Sequence, residues 1–417
     1  MPSTPPPVPA GCPVHVLDPS GSAPQSEAAG LRGRGPAVRV ELPGGVIAWS
    51  VTRYEVIKDL LADPRVSRDF KAHWPGHEAV PESWPLAALV LMDSFLNAYG
   101  EEHRRLRRTV TPAFTPRRVK AMEPRIHELA RTLVADLGRT PPGETADLRA
   151  SLSRPLTMAV ICDLLGIPEH MRGPVVAAID SLLDTTVDAE QAMAARVKVD
   201  ERFGALLKYK RNDPAQDLTT EMLNPAEGPP LTDKQARDTL FLMIGAGFET
   251  TVNMMTSAAH SVLSDPILLD RACRGEADLG EVVEESLRRD GPIMHMPLRY
   301  AIEDIDLGEG VVIGRGEPIV VAFGASGRDP QMHPDNPDTF DPGRASKEHL
   351  SFGHGAHFCM GSHLARTEAR LGLAELFRVL PDITLAEAGR KPSRVISLIV
   401  NGASELPVVP RPTGSTA

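Results

Sequence analysis

Residues Phe352-Gly353-His354-Gly355-Ala356-His357-Phe358-Cys359-Met360-Gly361 frame one cysteine with glycines, and a helical pattern follows at once from Ser362. Glycine lets a backbone turn tightly and come close to a flat ligand. A helix starting just beyond the cysteine aims its positive end at the sulfur and favours the thiolate. A lone thiolate held this way suits an axial ligand to haem iron. A zinc site is a second reading, because His354, His357, Cys359 and His363 lie close together, but zinc leaves the glycines without a purpose. The third reading is an inert, buried cysteine in a turn.

A second concentration of chemistry is Ile244-Gly245-Ala246-Gly247-Phe248-Glu249-Thr250-Thr251. An acid beside an alcohol inside an apolar helix is what proton delivery into a dry site needs. Two glycines here, each costing about 1 kcal/mol against alanine, predict a local kink with Thr250 bonding a freed carbonyl or a water. The competing reading is a helix–helix contact that needs small residues, with Glu249 on a solvated face.

These groups need elements to position them. Thr232 and Gln235 form a capping box, and an apolar-rich pattern runs from there to about Leu263, with Pro266 limiting it. A helix is also predicted after Cys359, to about Leu380. Val38–Leu42 and Val46–Trp49 read as a hairpin about Pro43-Gly44-Gly45. Thr52 with Glu55 predicts a capping box opening a short helix. Residues 70–100, with Pro75, Pro81 and Pro85, predict a long irregular loop. Helical patterns dominate 101–290, and strand signals return at 299–302, 311–313, 318–321 and near 393–410.

The chain has 417 residues and no Pro/Gly/Ser linker in its middle, so one large, mainly α domain with a smaller β part is expected over 36–417. Residues 1–35 are rich in Pro, Gly and Ser and read as a mobile arm. Cys12, Cys162, Cys273 and Cys359 are too scattered for a disulfide framework. No secretory leader or bilayer-length apolar run is present, so a cytoplasmic protein is expected. A net charge of -10 argues against nucleic-acid binding.

The cysteine stretch, extended through Leu364-Ala365-Arg366, resembles the haem-binding signature of bacterial cytochrome P450 enzymes, with every fixed position filled. Ala246-Gly247-Phe248-Glu249-Thr250-Thr251 resembles the oxygen-binding motif of that family. His103 and Arg107 resemble its propionate clamp, and Glu285 with Arg288 its Glu-x-x-Arg motif. The resemblance runs from about Val38 to Pro410, with the motifs in family order. Two departures are Asn97-Ala98-Tyr99-Gly100 and Ser326-Gly327, neither at the iron. The stretches around Trp84 and His295 look like an actinobacterial subgroup that oxidises steroids and macrolide-type polyketides.

The resemblance implies the P450 fold, a single domain whose long central helix crosses haem b. Cys359 would bind the iron. His103, Arg107, Arg299 and His357 would hold the propionates, and Phe352, Gly361, Ala246 and Gly247 would border the cofactor. Gly247 would leave room for dioxygen, while Thr250 steadies the activated oxygen and Glu249 joins the proton relay. Glu285, Arg288 and Arg344 would form a structural triad locking the cysteine loop. Leu89, Leu91, Met92, Ile244, Ala246, Phe248, Met294, His295, Met296, Leu398 and Ile399 are expected to line an apolar pocket. The implied activity is monooxygenation by a monomer. A separate ferredoxin and ferredoxin reductase would supply electrons, with the ferredoxin docking on Arg104, Arg105 and Arg108. A peroxide-driven enzyme and a haem sensor are the rivals, and the Glu249–Thr250 pair argues against both.

Overall fold

Alternating residues 38–42 and 46–51 build a hairpin whose inward side chains, Val40, Leu42 and Ala48, are buried. In the computed structural model, which describes residues 14–80, 84–183 and 189–413, this hairpin nucleates a six-stranded sheet. Val46–Val51 pairs in parallel with Pro318–Val321, which pairs antiparallel with Met296–Ala301, which in turn pairs with Val66–Ser67. Gly44 turns the hairpin with φ +86°, and a Cβ there would lie 2.6 Å from the Trp84 ring. The Trp84 indole donates to the Pro43 carbonyl at 2.6 Å, so the turn anchors the segment that follows.

The expected mobile arm over 1–35 does not hold from His15 on, and residues 1–13 lie outside the described residues. From His15 the chain is built in. His15–Val16 pairs with Val40 and Glu41, and Pro24–Arg32 is a helix that buries Ala28 and Leu31. Two other expectations fail for local reasons. Arg53, not Thr52, precedes the Tyr54–Ala62 helix; no side chain caps it, and the Tyr54 amide donates instead to Asp329 at 2.8 Å. The loop expected over 70–100 contains short helical turns at Phe70–His73, His77–Ala79, Ala87–Val90 and Phe95–Asn97, because buried Trp74, Trp84 and Phe95 pull it onto the core.

The central helix spans Asp233–Leu263 and opens with the predicted capping box, both Thr232–Gln235 bonds being 3.2 Å. Its C-terminal half is buried on nearly every side, as an interior helix must be. It packs on Arg154–Leu165, Leu279–Arg289 and Ser362–Val379, the last also lying along Pro116–Leu137. A three-stranded sheet of Thr384–Leu385, Pro407–Val409 and Ala146–Asp147 closes one end. Among the described residues no helix is long and apolar enough to cross a membrane.

Glu285, Arg288 and Arg344 meet in the interior. Arg288 clamps Glu285 with bonds of 2.7 and 2.8 Å and donates to the carbonyls of Gly327, Pro337 and Thr339. Arg344 lies 3.6 Å from Glu285, which also accepts the Asp341 amide at 2.9 Å. One buried ion pair thus gathers several loop carbonyls that would otherwise lack donors.

Candidate active site

The cysteine loop is built by short-range bonds. The Cys359 amide donates to the Phe352 carbonyl at 2.8 Å, and the Phe358 amide to Gly355 at 3.0 Å. Gly355 has φ +67°, and a Cβ there would lie 2.4 Å from the Leu61 carbonyl oxygen, so no other residue fits without a shift. The Ser362–Val379 helix begins directly after Gly361. Burial pushes the Cys359 thiol up, against the Gly361 and Ser362 amides and the Arg107 and Arg366 charges, which favour thiolate. The Phe352 ring lies under the Arg366 guanidinium, 4.4 Å from it. Among the described residues no three His, Cys, Asp or Glu side chains converge to hold a metal, which removes the zinc reading.

One face of the central helix is open in mid-span. Gly245 and Ala246 are exposed there, and Met243, Gly247 and Thr250 are half-buried. The helix stays continuous through the glycines, and the Thr250 hydroxyl donates to the Ala246 carbonyl at 2.5 Å. Gly247 turns towards the neighbouring helix, where its Cβ would lie 3.3 Å from Ile161. Its small size therefore serves helix packing, and the room beside the open face is at Gly245 and Ala246.

Beside the loop lies a cluster of cations. The Arg107 guanidinium donates to the Phe358 carbonyl at 2.5 Å, joining the Gly100–Val110 helix to the cysteine loop. The His103 and His357 rings lie 4.1 Å apart. Arg299 is buried, its guanidinium 5.7 Å from the Phe323 ring. Arg68, absent from the expected set, is buried with them. Burial and the charges of Arg107, Arg104 and Arg68 hold His103 at about 4. Burial, then the charges of Arg68, His103, Arg299 and Arg107, hold His357 well below its ordinary value. No carboxylate pairs with any of these groups among the described residues. Arg68 Nε, Arg299 Nη1 and His103 Nε2 are buried without a partner. Folding keeps such a set only if an anion belongs there.

Known proteins are similar to this chain along most of its length. The cytochrome P450 family model matches residues 279–381. The 2-hydroxy-5-methyl-1-naphthoate 7-hydroxylase of Streptomyces carzinostaticus is 39% identical over 95% of this chain and 97% of its own. The chain belongs to the cytochrome P450 family. The solved CYP154A1 from Streptomyces coelicolor A3(2) is 43% identical with a TM-score of 0.88, covering 95% of this chain and 100% of that one. CYP154C4 from Streptomyces sp. ATCC 11861, solved with testosterone, is 33% identical with a TM-score of 0.90, covering 96% and 99%.

The protein is therefore a P450 monooxygenase, and haem-thiolate iron is its cofactor. Its own residues fit that group. Haem carries two carboxylates, and the orphaned buried donors are of the type that binds them. The glycine loop presents one cysteine sulfur whose neighbours favour thiolate.

The remaining site residues of this P450 separate into two groups. Leu91, Leu398 and Ile399 come from distant segments and pack with Leu298 and Trp84, and the Ile399 carbonyl accepts the Met294 amide at 2.7 Å. Leu89 and Met296 are half-buried. His295 is buried with both ring nitrogens unpartnered. Four further expected lining residues are buried in other apolar clusters. Ile244 and Phe248 sit two positions from Ala246, on the opposite side of the helix, and pack with Met92 in a cluster containing Ile161 and Leu165. Arg154 covers the Phe248 ring at 5.0 Å. Met294 packs among Ala28, Ala322 and Ala325. Helical spacing from Ala246 and Thr250 points to Met243, which the sequence reading missed.

Glu249 is held by Arg149 at 2.5 Å and by Asn253 at 3.2 Å, and Arg149 also donates to Asn253 at 2.7 Å. Its carboxylate is thus the end of a polar chain running away from Thr250. Neither Arg149 nor Asn253 carries a sequence signal, because both depend on helix packing.

Proposed function

We propose that this P450 hydroxylates a hydrophobic, polyketide- or steroid-like small molecule, with Cys359 as the axial ligand of haem b. The observation that carries this reading is the buried cation cluster without carboxylates, joined to the cysteine loop through Arg107 and the Phe358 carbonyl. The naphthoate relative and the testosterone-bound structure support the substrate class. Bound haem supplies the iron that activates dioxygen, so that one oxygen atom enters a C–H bond and the other leaves as water.

The chain supplies position, dryness and protons. His103, Arg107, Arg299 and His357 hold the carboxylates of the cofactor. Leu91, Leu398 and Ile399 exclude water around an apolar substrate, and buried His295 offers a hydrogen bond to its hydroxyl or carbonyl. The open face at Gly245 and Ala246 would leave room for the cofactor and its substrate. Thr250, bonded to the Ala246 carbonyl, would pass protons at its hydroxyl, and Glu249, held by Arg149, would exchange them.

Electrons come from a ferredoxin and its reductase. Arg105 is committed to Glu102 by bonds of 2.7 and 2.6 Å and Arg104 pairs with Glu101 at 3.8 Å, so the docking charge reduces to Arg108, exposed and next in the chain to the Arg107 that reaches Phe358.

The direct test is the absorption spectrum of the dithionite-reduced protein with carbon monoxide. A strongly red-shifted Soret band in the wild type, lost in Cys359→Ala, is expected. An unshifted band, or one that persists in the variant, would overturn the assignment of Cys359. Spectral titration with steroids, macrolides and naphthoates then identifies the substrate class.

A further inference from the structure

Val66 pairs with Ala301 and Ser67 with Tyr300 in an antiparallel ladder. Arg68 directly follows Ser67, just past the last paired residue, and Arg299 directly precedes Tyr300, so the two lie at the same end of this ladder. Both are buried, at 2% and 4% exposure. Like charges brought together at one end of a ladder repel, and burial removes the water that would screen them. Neither arginine has a carboxylate partner among the described residues. Arg68 uses one end: its Nη2 lies 3.3 Å from the Pro297 carbonyl and 3.5 Å from the Asn97 side chain. Asn97 is itself pinned, donating to the carbonyls of Leu89 at 2.7 Å and Met92 at 3.1 Å. These contacts orient the guanidinium and leave Nε buried with nothing to bond, as Arg299 leaves Nη1. The end of the ladder thus sets Arg68 beside Arg299, one of the residues expected to hold the carboxylates of haem.

We propose that Arg68 is a further haem-binding residue: with Arg299 it forms a cross-strand pair of guanidiniums that closes on one haem propionate. The carboxylate turns a repulsive pair into a bridged one. Asn97 is the positioning residue that aims Arg68, so the segment around Leu89 and Met92 and the seating of the cofactor share one hydrogen-bonded link. This assignment rests on the haem reading above.

The test is the rate of haem transfer from the holoenzyme to excess apomyoglobin. Arg68→Gln is measured beside wild type, with native haem and with haem whose propionates are methyl esters. With native haem, loss should accelerate by about tenfold or more, the worth of one charge-assisted bond. Arg68→Lys should restore part of the difference. With the ester, wild type and Arg68→Gln should lose haem at the same rate. A purely structural Arg68 would accelerate loss of both cofactors equally, and that result overturns the proposal, as does an unchanged rate with native haem. The reduced carbon monoxide spectrum of wild type separates this from failure of the haem reading: without a red-shifted band there is no thiolate-bound haem to lose.

Discussion

Thr250 and Glu249 are adjacent in the chain yet face different surroundings. The Thr250 hydroxyl sits over the Ala246 carbonyl on the open face, while the Glu249 carboxylate is tied to Arg149. If the hydroxyl governs proton delivery, Thr250→Ala should cut product formed per reducing equivalent by at least about tenfold, leaving the carbon monoxide spectrum intact. Measuring NADH, hydrogen peroxide and product together checks this, and unchanged coupling removes Thr250 from the relay. His295 provides a second expectation. Burial holds its pKa at about 4, below the ordinary 6.5. A base whose folded pKa is depressed binds protons more readily when unfolded, so its contribution to stability is complete above about pH 6.5 and lost as pH falls towards 4. The urea midpoint of the holoenzyme should therefore drop more for wild type than for His295→Leu between about pH 7 and about pH 5. Parallel curves would show that the ring is hydrated.

The cysteine loop and the central helix carry the site for different physical reasons. The loop depends on a backbone shape. At Gly355 a side chain would combine positive φ with a 2.4 Å approach to Leu61. Gly355→Ala should cost about 1–3 kcal/mol in strain and displace the loop that presents Cys359. The check is the carbon monoxide spectrum, where the red-shifted band should weaken in favour of an unshifted one. A full-height shifted band would mean that the Tyr54–Ala62 helix, whose end carries Leu61, moves aside without consequence. The central helix depends on periodicity. Its open face follows helical spacing from Met243 to Ala246 and Thr250, whereas Ile244 and Phe248 turn to the core.

The protein as one body carries a net charge of -10, so an acidic redox partner must be drawn by a local patch. Arg105 is neutralised by Glu102 and Arg104 pairs with Glu101, which leaves Arg108. Arg108→Glu should slow reduction by a ferredoxin about tenfold at low salt, with the difference shrinking as ionic strength screens the patch. Substrate affinity, read from the spectral titration, should not change. Stopped-flow reduction at two salt concentrations decides the matter, and equal rates for wild type and variant would move the docking surface elsewhere.

Local signals in the chain sufficed wherever the determining interactions lie close in sequence. The Thr232–Gln235 capping box, the hairpin about Gly44 and the glycine-framed Cys359 each lie within a few residues, so their meaning can be read from spacing. His103 and Arg107, one helical turn apart, also lie close in sequence. Periodicity alone also contained Met243, although the expected pocket took Ile244 and Phe248 instead. Tertiary structure decided what depends on partners far along the chain. Arg68 looks like any strand-end arginine until the pairing of Ser67 with Tyr300 brings it to the same end of the ladder as Arg299. Glu249 looks free until Arg149 reaches it from a hundred residues away. Met294 looks like a pocket residue until Ala28, Ala322 and Ala325 close around it. Local sequence can specify a turn, a cap or a helical face, because few atoms and short-range forces are involved. Which buried charges share a cavity, and which apolar side chains face it, is set only when distant segments exclude water together.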